Sequence, residues 1–396
     1  MLPDAAGPAA GQAPPLPLAR WATRRLLAFA QDCRIALPFL SGGTLLGERA
    51  ALDGFRVPGT TSAGGGCRLH ATQDGWIALN LARAADRELL PALLETGDVI
   101  GDAAIGRTAS GRREAELVAR GREMGLAIAG LNETAPAQDI THLCIHPAPV
   151  PVRMPLVVDL SALWAGPLCG HLLRAAGAEV IKVENPARPD RMREGDAGLF
   201  ARLNQGKHNV ALDPKRPEDR AVLVSLLERA DIVIEASRPR ALRQLGIDAQ
   251  AILARKPGMV WLTITAHGAS GAAADWTGFG DDCAVAGGLS AAMRDASGTV
   301  GFVGDAPADP LTGIVSAHEG WRAWTAGEGG RIGFAMSGIV RAALADERAH
   351  SPERWREELR LWARLQGTPF PPVLMREPEA PLHRIGQDNH RWAASC

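Results

Sequence analysis

Several residue types and motifs are missing from this sequence. It contains no tyrosine, and aromatic residues make up 5% of the chain, which we interpret as a consequence of base composition without functional meaning. None of the six cysteines forms a C-x-x-C pair, so a zinc ribbon and a thioredoxin-type motif are excluded. Scattered cysteines in a chain of this length are most simply reduced thiols, which predicts a cytoplasmic protein.

Long apolar runs and a strong charge imbalance are also missing. No run approaches the length of a membrane span, and the N-terminus lacks the basic segment and apolar core of a secretory signal. A formal net charge of −1 creates no global field that would favour nucleic acid or an anionic membrane. The chain has 396 residues, of which 46% are hydrophobic and 22% charged. These values are typical of a globular protein with two domains and a substantial core.

Neither a G-x-G-x-x-G motif nor a Walker loop is present, so an ordinary dinucleotide or nucleoside triphosphate site is not supported. A different βαβ unit is present. Leu156–Leu160 is an apolar, β-branched run of the buried-strand type, and Leu168–Ala176 has helical spacing. Gly177 ends this helix, and Val180–Val183 begins a second strand. A strand, helix and strand in this order predict a parallel sheet.

The alternation of helices and strands continues towards the C-terminus. The predicted helices are Pro217–Ala230, Ala249–Lys256 and Thr312–Ala326, and the predicted strands are Ile232–Glu235, Val260–Thr265 and the start of Arg331–Val340. A charged amphipathic helix is predicted at 350–365. The pattern predicts an α/β fold with a doubly wound, mostly parallel, Rossmann-like sheet and a second, smaller α+β domain.

The N-terminal part has a different pattern. Trp21–Ala36 has helical spacing, 42–66 is glycine-rich and predicted to be irregular, and Asp74-Gly75 predicts a hairpin turn between Cys67–Ala71 and Trp76–Leu81. The four prolines of Pro147–Pro155 indicate a linker. We therefore predict a small α+β domain at 1–150, a large α/β domain at 151–345, and a C-terminal helix and tail at 346–396.

Several short segments follow one another in a specific order. They are LSALWAGP at 160–167, LLRAAGAEVIKVENP at 172–186, Asn204–Lys207, Val210–Asp213, Ala230–Glu235, Arg238-Pro239, Leu245-Gly246, Pro257, Val260–Thr265 and Asp309–Gly313. In this order the segments resemble the family III CoA-transferases, the group that contains L-carnitine CoA-transferase and formyl-CoA transferase. The resemblance covers about 155–343 and the tail near Ala380–Asn389.

The resemblance implies that Asp309 is the catalytic nucleophile, because Asp309–Gly313 is similar to the family's D-x-x-[ST]-G. A carboxylate nucleophile divides one difficult acyl transfer into two easier ones. Taken alone, the local sequence favours a helix cap or a turn aspartate. Asp305 is a local rival, but its spacing to Thr312-Gly313 does not fit the motif.

The resemblance also implies the residues that bind CoA. They are Trp164, Ala165, Asn185, Leu212, Asp213, Lys215, Arg238 and Arg243. An arginine suits phosphate through its planar fork, and the backbone N–H at Trp164-Ala165 suits an oxyanion. The alternatives are solvated loop residues and, for Trp164, a packed aromatic side chain. Two departures from the family are that Arg240 replaces a glycine and that tryptophan at 164 is not typical of formyl-CoA transferase.

The order of the domains also departs from the family. Gly64, Gly65 and Gly66, with the hairpin after them, resemble the family's small-domain segment, in which a glycine loop is a lid over the covalent intermediate. We interpret the domain order as permuted; the alternatives are a partner half-protein or a degenerate copy. The resemblance implies a homodimer, with small-molecule acyl-CoA and carboxylate substrates and no metal.

The resulting functional prediction is a CoA-transferase that moves CoA between two carboxylic acids through an aspartyl-CoA thioester. One alternative is an α-methylacyl-CoA racemase of the same fold. That alternative is weakened because Asp281 stands where racemases carry a histidine, and His267 lies on another loop. A catalytically silent CoA-binding paralogue is the other alternative.

Overall fold

The structure is a computed structural model, which describes residues 16–37, 40–97, 101–136, 138–237 and 240–393. The strands are β1 Cys67–Ala71, β2 Trp76–Asn80, β3 Ala127–Gly130, β4 Ile140–Ile145, β5 Leu156–Asp159, β6 Glu179–Glu184, β7 His208–Ala211, β8 Ile232–Glu235, β9 Val260–Thr265 and β10 Gly330–Ala335.

The helices surround these strands. They are α1 Ala19–Cys33, α2 Gly42–Leu52, α3 Leu90–Leu94, α4 Asp102–Ala109, α5 Glu114–Glu123, α6 Ala165–Ala175, α7 Met192–Gly195, α8 Ala197–Asn204, α9 Pro217–Arg229, α10 Arg240–Gln244, α11 Ala249–Arg255, α12 Gly280–Ala286, α13 Leu289–Ser297, α14 Ala308–Thr325, α15 Met336–His350, α16 Pro352–Arg364 and α17 Asn389–Trp392. Two 3₁₀ helices lie at Ala84–Leu89 and Ala272–Asp275. None of the helices in the described ranges is long and apolar enough to cross a bilayer.

The larger sheet has seven strands in the order β4-β10-β9-β8-β5-β6-β7. All neighbouring pairs are parallel except β4 and β10, which are antiparallel. Successive residues of β5 face different cores, because Val157 belongs to one hydrophobic cluster and Val158 to the other. The sheet is therefore covered on both faces, which explains why its central strands are continuous apolar runs. The predicted doubly wound sheet is confirmed.

The smaller sheet has three antiparallel strands in the order β1-β2-β3. Its hairpin closes with Ala71 opposite Trp76, across the Asp-Gly turn that the sequence indicates. Ile77 and Leu79 of β2 pack with Leu117 of α5 in a separate hydrophobic cluster. This cluster is the core of the predicted second, smaller α+β unit.

The beginning of the chain does not form one body apart from the large sheet. Strand β4 lies N-terminal to the proline-rich stretch, yet it pairs with β10 as the edge of the large sheet. Helices α1 and α2 place Phe29 and Leu45 in the same hydrophobic cluster as Ile314 of α14. The boundary expected at 150 therefore falls after a strand of the large sheet.

The region 42–66 is also more regular than its glycines suggest. Helix α2 begins after Ser41, whose side-chain oxygen accepts a hydrogen bond from Thr44 N at 3.1 Å. A serine cap of this kind stabilises the first turn of a helix. Gly42 is required for packing, since a Cβ there would lie 2.6 Å from Thr23 N. The prediction of an irregular segment was wrong for 42–52.

Candidate active site

Asp309 lies in the first turn of α14, which begins at Ala308 rather than at Thr312. Its neighbours Ala308 and Pro310 are buried, whereas Asp309 keeps partial exposure to solvent. Gly313 allows α14 to approach α6, since a Cβ at 313 would lie 2.8 Å from Ala165 O. Because Gly313 has no side chain, the start of α14 can pack against the start of α6.

The backbone N–H of Ala165 donates a hydrogen bond to the Asp309 carboxylate. Ala165 is the first residue of α6, where backbone N–H groups point outward and favour negative charge. Trp164, which is 1% exposed, precedes it. The structure therefore brings three of the predicted site residues together, at the turn after β5.

The electrostatic surroundings of Asp309 hold its pKa near neutrality. The pKa of the carboxyl is raised to about 7, chiefly by burial and also by the charges of Asp281 and Asp305. The charge of Arg49 and the hydrogen bond from Ala165 N–H act in the opposite direction and lower the pKa. Near neutral pH this carboxyl group can therefore be either protonated or ionised.

Arg49 is the cation of the site, and it comes from α2. Its Nε donates to Asp305 Oδ2 at 2.8 Å, and Nη2 donates to the other oxygen of the same carboxylate. The guanidinium carbon lies 4.9 Å from the centre of the Trp164 ring, in cation–π geometry. Asp305, the local rival of Asp309, is therefore engaged in an ion pair.

Arg49 is a residue of the site that was not predicted from the sequence. The residue is 256 positions away from its ion-pair partner, and the segment around it was expected to be irregular. The available signal was a charged pair, Glu48-Arg49, inside an otherwise apolar helix. Such a pair suggests buried partners, and Glu48 is fully buried against Arg376, with Nε–Oε2 at 2.7 Å.

Asp281 holds the loop that leads into α14. Its Oδ1 accepts a hydrogen bond from Ala306 N at 3.0 Å, and burial raises its pKa to about 6. Ala306 has a φ of +43°, and Leu163, just before Trp164, has a φ of +67°. Left-handed backbone at non-glycine residues costs about 1–3 kcal/mol and persists where the surroundings enforce it. Both turns that meet at Asp309 contain such a residue.

Gly280 leaves the space that the Asp309 carboxylate fills. A Cβ at this position would overlap with Asp309 Oδ2 and would lie 2.5 Å from Ala306 O. Gly280 is the first residue of α12. The position therefore tolerates no side chain while the carboxylate keeps this geometry.

The predicted glycine lid lies beside Arg49 of the same chain. A Cβ at Gly64 would be 3.5 Å from Arg49 Nη2, and one at Gly66 would be 3.7 Å from Asn80 Oδ1. Gly65 has a φ of +76°, and a Cβ added at this position would have no other atom within 4 Å. Ser62, just before the turn, donates to Asp281. The exposed glycine turn is thus next to the residues that surround Asp309.

Four of the predicted CoA-binding residues form a separate group at the ends of β6 and β7. Asn185 Nδ2 donates to Asp213 Oδ1 at 3.3 Å, and Lys215 N donates to the same oxygen at 3.1 Å. Leu212 is buried, and the Lys215 side chain is exposed. This group lies on the edge of the sheet where the parallel strands end, which is where open α/β sheets bind ligands.

Arg243 lies on α10, after β8, and lines a cavity of about 350 Å³. Glu235 and Arg331 line the same cavity, and Arg331 Nη2 donates to Glu235 Oε2 at 3.2 Å. Arg238 lies outside the described residues. Three of the predicted CoA-binding regions follow strands that are neighbours in the sheet. They are the Arg243 cavity after β8, the Trp164 turn after β5, and the group at the ends of β6 and β7.

Comparison with known proteins gives the same family as the sequence resemblance. Residues 155–338 match the CoA-transferase family III model. Succinate–glutarate CoA-transferase of Agrobacterium fabrum is 33% identical over 210 residues, which are 48% of this chain and 52% of that protein. Succinyl-CoA–D-citramalate CoA-transferase of Chloroflexus aurantiacus is 35% identical over 150 residues, 36% of this chain and 37% of that protein.

A solved structure of a CaiB/BaiF family protein from Brucella suis is 26% identical, covers 52% of this chain and 58% of that chain, and has a TM-score of 0.42. The chain spans about half or less of the length of the two curated relatives above. The match to the family model includes β5, α6 and the Asp309 turn. Residues 155–338 of this chain are therefore similar to CoA-transferase family III.

Proposed function

We propose that the protein transfers CoA between an acyl-CoA and a free carboxylic acid, with Asp309 as the nucleophile. The observation that carries this proposal is the position of Asp309. Asp309 is a partly exposed residue whose carboxylate accepts a hydrogen bond from the N–H of Ala165, inside the region that matches the family. A carboxylate nucleophile needs this combination of access to substrate and nearby donors for a developing oxyanion.

The proposed reaction needs neither water nor net proton transfer. The ionised Asp309 attacks the thioester carbon, the C–S bond breaks, and CoA leaves as the thiolate from a mixed anhydride. The thiolate then attacks the aspartyl carbonyl, and the donor acid leaves as a carboxylate. The acceptor carboxylate reverses these two steps: it displaces CoA from the aspartyl thioester, and the thiolate then attacks the acceptor carbonyl and regenerates Asp309.

Arg49 supports a negatively charged acceptor. Its Nε and Nη2 are used by Asp305, which leaves Nη1 outside that ion pair. Its side chain is 16% exposed. A carboxylate beside Asp309 needs a compensating positive charge, and a guanidinium binds carboxylates well. The relatives' names refer to succinate, glutarate and D-citramalate, which are dicarboxylic acids, so we propose a short dicarboxylic acid as acceptor.

The CoA moiety would extend along the carboxyl ends of β8, β5, β6 and β7. Lys215 and Arg243 supply positive charge near this edge, and charge-assisted bonds to phosphate contribute about 1.5–3 kcal/mol each. The glycine turn at 64–66 would close over the covalent intermediate from the side of Arg49. Arg49 lies close to Gly64 of the same chain, which supports an arrangement in which one chain supplies both the nucleophile and the lid.

The test is to trap the aspartyl-CoA thioester. Purified protein is incubated with succinyl-CoA and with other short acyl-CoAs, and intact-mass and peptide mass spectrometry then follow the mass of the chain. We expect a CoA adduct on the peptide that contains Asp309, and transfer to added dicarboxylic acids. Asp309→Ala and Asp309→Asn should both lose the adduct and the transfer, because an amide cannot form the anhydride.

A matched control is Asp295→Asn, which changes an exposed aspartate that pairs with Arg294 on α13. This variant should keep both the adduct and the transfer rate. Normal turnover of Asp309→Ala would contradict the proposed mechanism. Exchange of the α-proton of a branched acyl-CoA without CoA transfer would instead favour the racemase alternative, and CoA binding without either reaction would favour a silent paralogue.

A further inference from the structure

A compact cluster of potential metal ligands lies outside the Asp309 site. One ring nitrogen of His267, one carboxylate oxygen of Asp282 and Cys283 Sγ all lie within 4.8 Å of one another. All three residues are buried, with exposures of 2% or less. They come from the segment after β9 and from the first turn of α12. Sequence spacing does not reveal this cluster, because His267 is distant from the other two residues in the chain.

The groups around the cluster fix its members in position. Asp282 Oδ1 accepts hydrogen bonds from Asn80 Nδ2 and from Phe279 N, both at 3.0 Å, whereas Oδ2 has a long contact with Cys283 Sγ at 4.0 Å, inside the cluster. His267 Nδ1 lies 3.2 Å from Ser337 Oγ. Metal-binding carboxylates and imidazoles usually have such outer partners, which set their orientation.

The cluster also contains bonding capacity that the protein does not use. Among the described residues, His267 Nε2 is buried without a hydrogen-bond partner. Cys283 Sγ has long, weak contacts with Ala266 O at 3.6 Å and with Asp282 Oδ2 at 4.0 Å. A buried polar atom without a partner costs about 1–3 kcal/mol. Gly278 leaves room here, since a Cβ at this position would lie 2.8 Å from both Asp282 Oδ2 and Cys283 Sγ.

We propose that His267, Asp282 and Cys283 bind a divalent transition-metal ion, Zn²⁺, at a site separate from the Asp309 carboxylate. Imidazole, carboxylate and thiolate are the ligands that zinc uses in proteins. Tetrahedral zinc places such ligand atoms about 3.3–3.8 Å apart, so atoms that lie within 4.8 Å of one another need to approach by at most about 1.5 Å. One carboxylate and one thiolate balance the charge of the ion, which keeps the buried site neutral.

The position of the cluster indicates what the ion would do. Asn80 belongs to β2 and donates to Asp282 of α12, so the cluster lies where the three-stranded sheet meets the α/β part of the chain. A bound ion would fix α12 and the segment after β9 against this contact. Since Gly280 of α12 lies against Asp309, we expect the ion to stabilise the fold around the active site. This inference does not depend on the proposed transferase activity.

The experiment measures the metal content of the intact chain. The protein is produced in zinc-supplemented medium, purified without chelators or a metal-affinity step, and analysed for bound metals. We expect about one zinc per chain, and less than a tenth of this amount in Cys283→Ser and His267→Gln. Cys169→Ser removes another fully buried thiol and should keep the wild-type zinc content.

A second measurement keeps the proposal testable if the variants fold poorly. Wild-type protein produced with cobalt should show thiolate-to-cobalt charge-transfer absorption and the visible bands of a tetrahedral site. Refolding with zinc should give a higher Tm than refolding with a chelator. Wild-type protein that contains no zinc and shows no cobalt spectrum would overturn the proposal, as would full zinc content in Cys283→Ser.

Discussion

Burial and the charges of individual residues decide at which pH Asp309, the proposed nucleophile, is ionised. Two carboxylates raise its pKa, and Arg49 is the side chain that lowers it most. The attack requires the ionised form, so activity should rise as the pH increases through about 7 and fall below that value. This direction follows because a carboxyl group with a raised pKa stays protonated at acidic and weakly acidic pH.

Arg49→Gln is therefore expected to move the acidic limb of the pH profile of kcat/KM to higher pH. An opposite charge at close range lowers a carboxyl pKa by about 1–3 units, so losing it should produce a shift of that size. Arg49→Lys keeps the charge and should leave the limb closer to the wild-type position. Arg294→Gln, a surface change, serves as control. An unchanged profile in Arg49→Gln would show that Arg49 does not act on Asp309.

Gly280 offers a test of geometry rather than charge. A Cβ at 280 would overlap with the Asp309 carboxylate, so Gly280→Ala should displace the nucleophile. A displacement of about 1 Å can reduce turnover about 100-fold, whereas overpacking costs about 1–3 kcal/mol of stability. We expect kcat to fall by about that factor while the protein remains folded, as judged by circular dichroism and thermal unfolding.

Gly195→Ala is the matched control for this change, because nothing lies within 4 Å of a Cβ at 195 and this glycine is also helical. It should leave kcat unchanged. If Gly280→Ala is as active as Gly195→Ala, then the carboxylate does not react from the position seen here.

Among the structural elements, the glycine turn at 64–66 has the most direct link to the proposed chemistry. Gly65 has a φ of +76°, which an alanine adopts only with strain. Gly65→Ala should therefore disturb the closed form of the turn and admit water to the aspartyl thioester. We expect the ratio of acyl-CoA hydrolysis to CoA transfer to increase, measured by following free CoA and the product thioester together.

Gly101→Ala provides the control for backbone strain alone. Gly101 has the same φ of +76°, and a Cβ added there would also have no other atom within 4 Å. It differs from Gly65 in its place in the fold, because it lies just before α4 and outside the 64–66 turn. The hydrolysis-to-transfer ratio should be normal in this variant. An equal ratio in both variants would reject the assignment of 64–66 as a lid.

The elements also show what the sequence can and cannot predict. Strands β8 and β9 have the predicted bounds, because both are fully buried apolar runs with clear signals at each end. Strand β4 was not predicted, since it is an edge strand whose residues are half-buried or exposed. Helix α14 begins at Ala308, before its predicted start at Thr312, because a proline such as Pro310 is well tolerated in the first turn of a helix.

The candidate site was predictable only where it is local in sequence. Asp309 and the Trp164-Ala165 turn both lie in segments with motif signals, and the structure brings them together. Arg49 was not predictable in the same way, because its role depends on contacts with residues far along the chain. Likewise, the sequence does not distinguish Gly280 from other glycines, because its role depends on its closeness to the Asp309 carboxylate in the folded chain.

At the scale of the whole molecule, the two ends of the described chain are tied to the same core. Arg376 and Glu48 form a buried pair with Nη2–Oε1 at 2.6 Å, and Arg20 of α1 pairs with Glu347 of α15. Breaking a buried ion pair by removing one partner costs about 3–5 kcal/mol. The N-terminal helices and the C-terminal tail should therefore unfold together with the α/β sheet rather than as independent units.

The surface of the molecule supports the homodimer that the family resemblance implies. Large apolar side chains are exposed at the end of β4 and in the stretch after it: Ile145, Val150, Val152 and Met154, with exposures from 59% to 104%. Strand β4 is also the last strand on its side of the described sheet, so its outer edge is unpaired. Apolar residues beside an open strand edge favour association.

We expect a second copy of this chain to cover that surface, so that light scattering at micromolar concentration gives twice the chain mass of 41.8 kDa. The substitution pair Val150→Lys and Val152→Lys places two charges in the apolar patch and should shift the equilibrium towards the monomer. A stable monomer of the wild-type chain with full transferase activity would reject the dimer. A dimer that the two lysines leave intact would place the interface elsewhere.

Because Arg49 and Gly64 already lie beside each other near Asp309 in one chain, dissociation should leave the proposed nucleophile and its proposed lid together. The residual activity of the monomer would then measure what the partner adds.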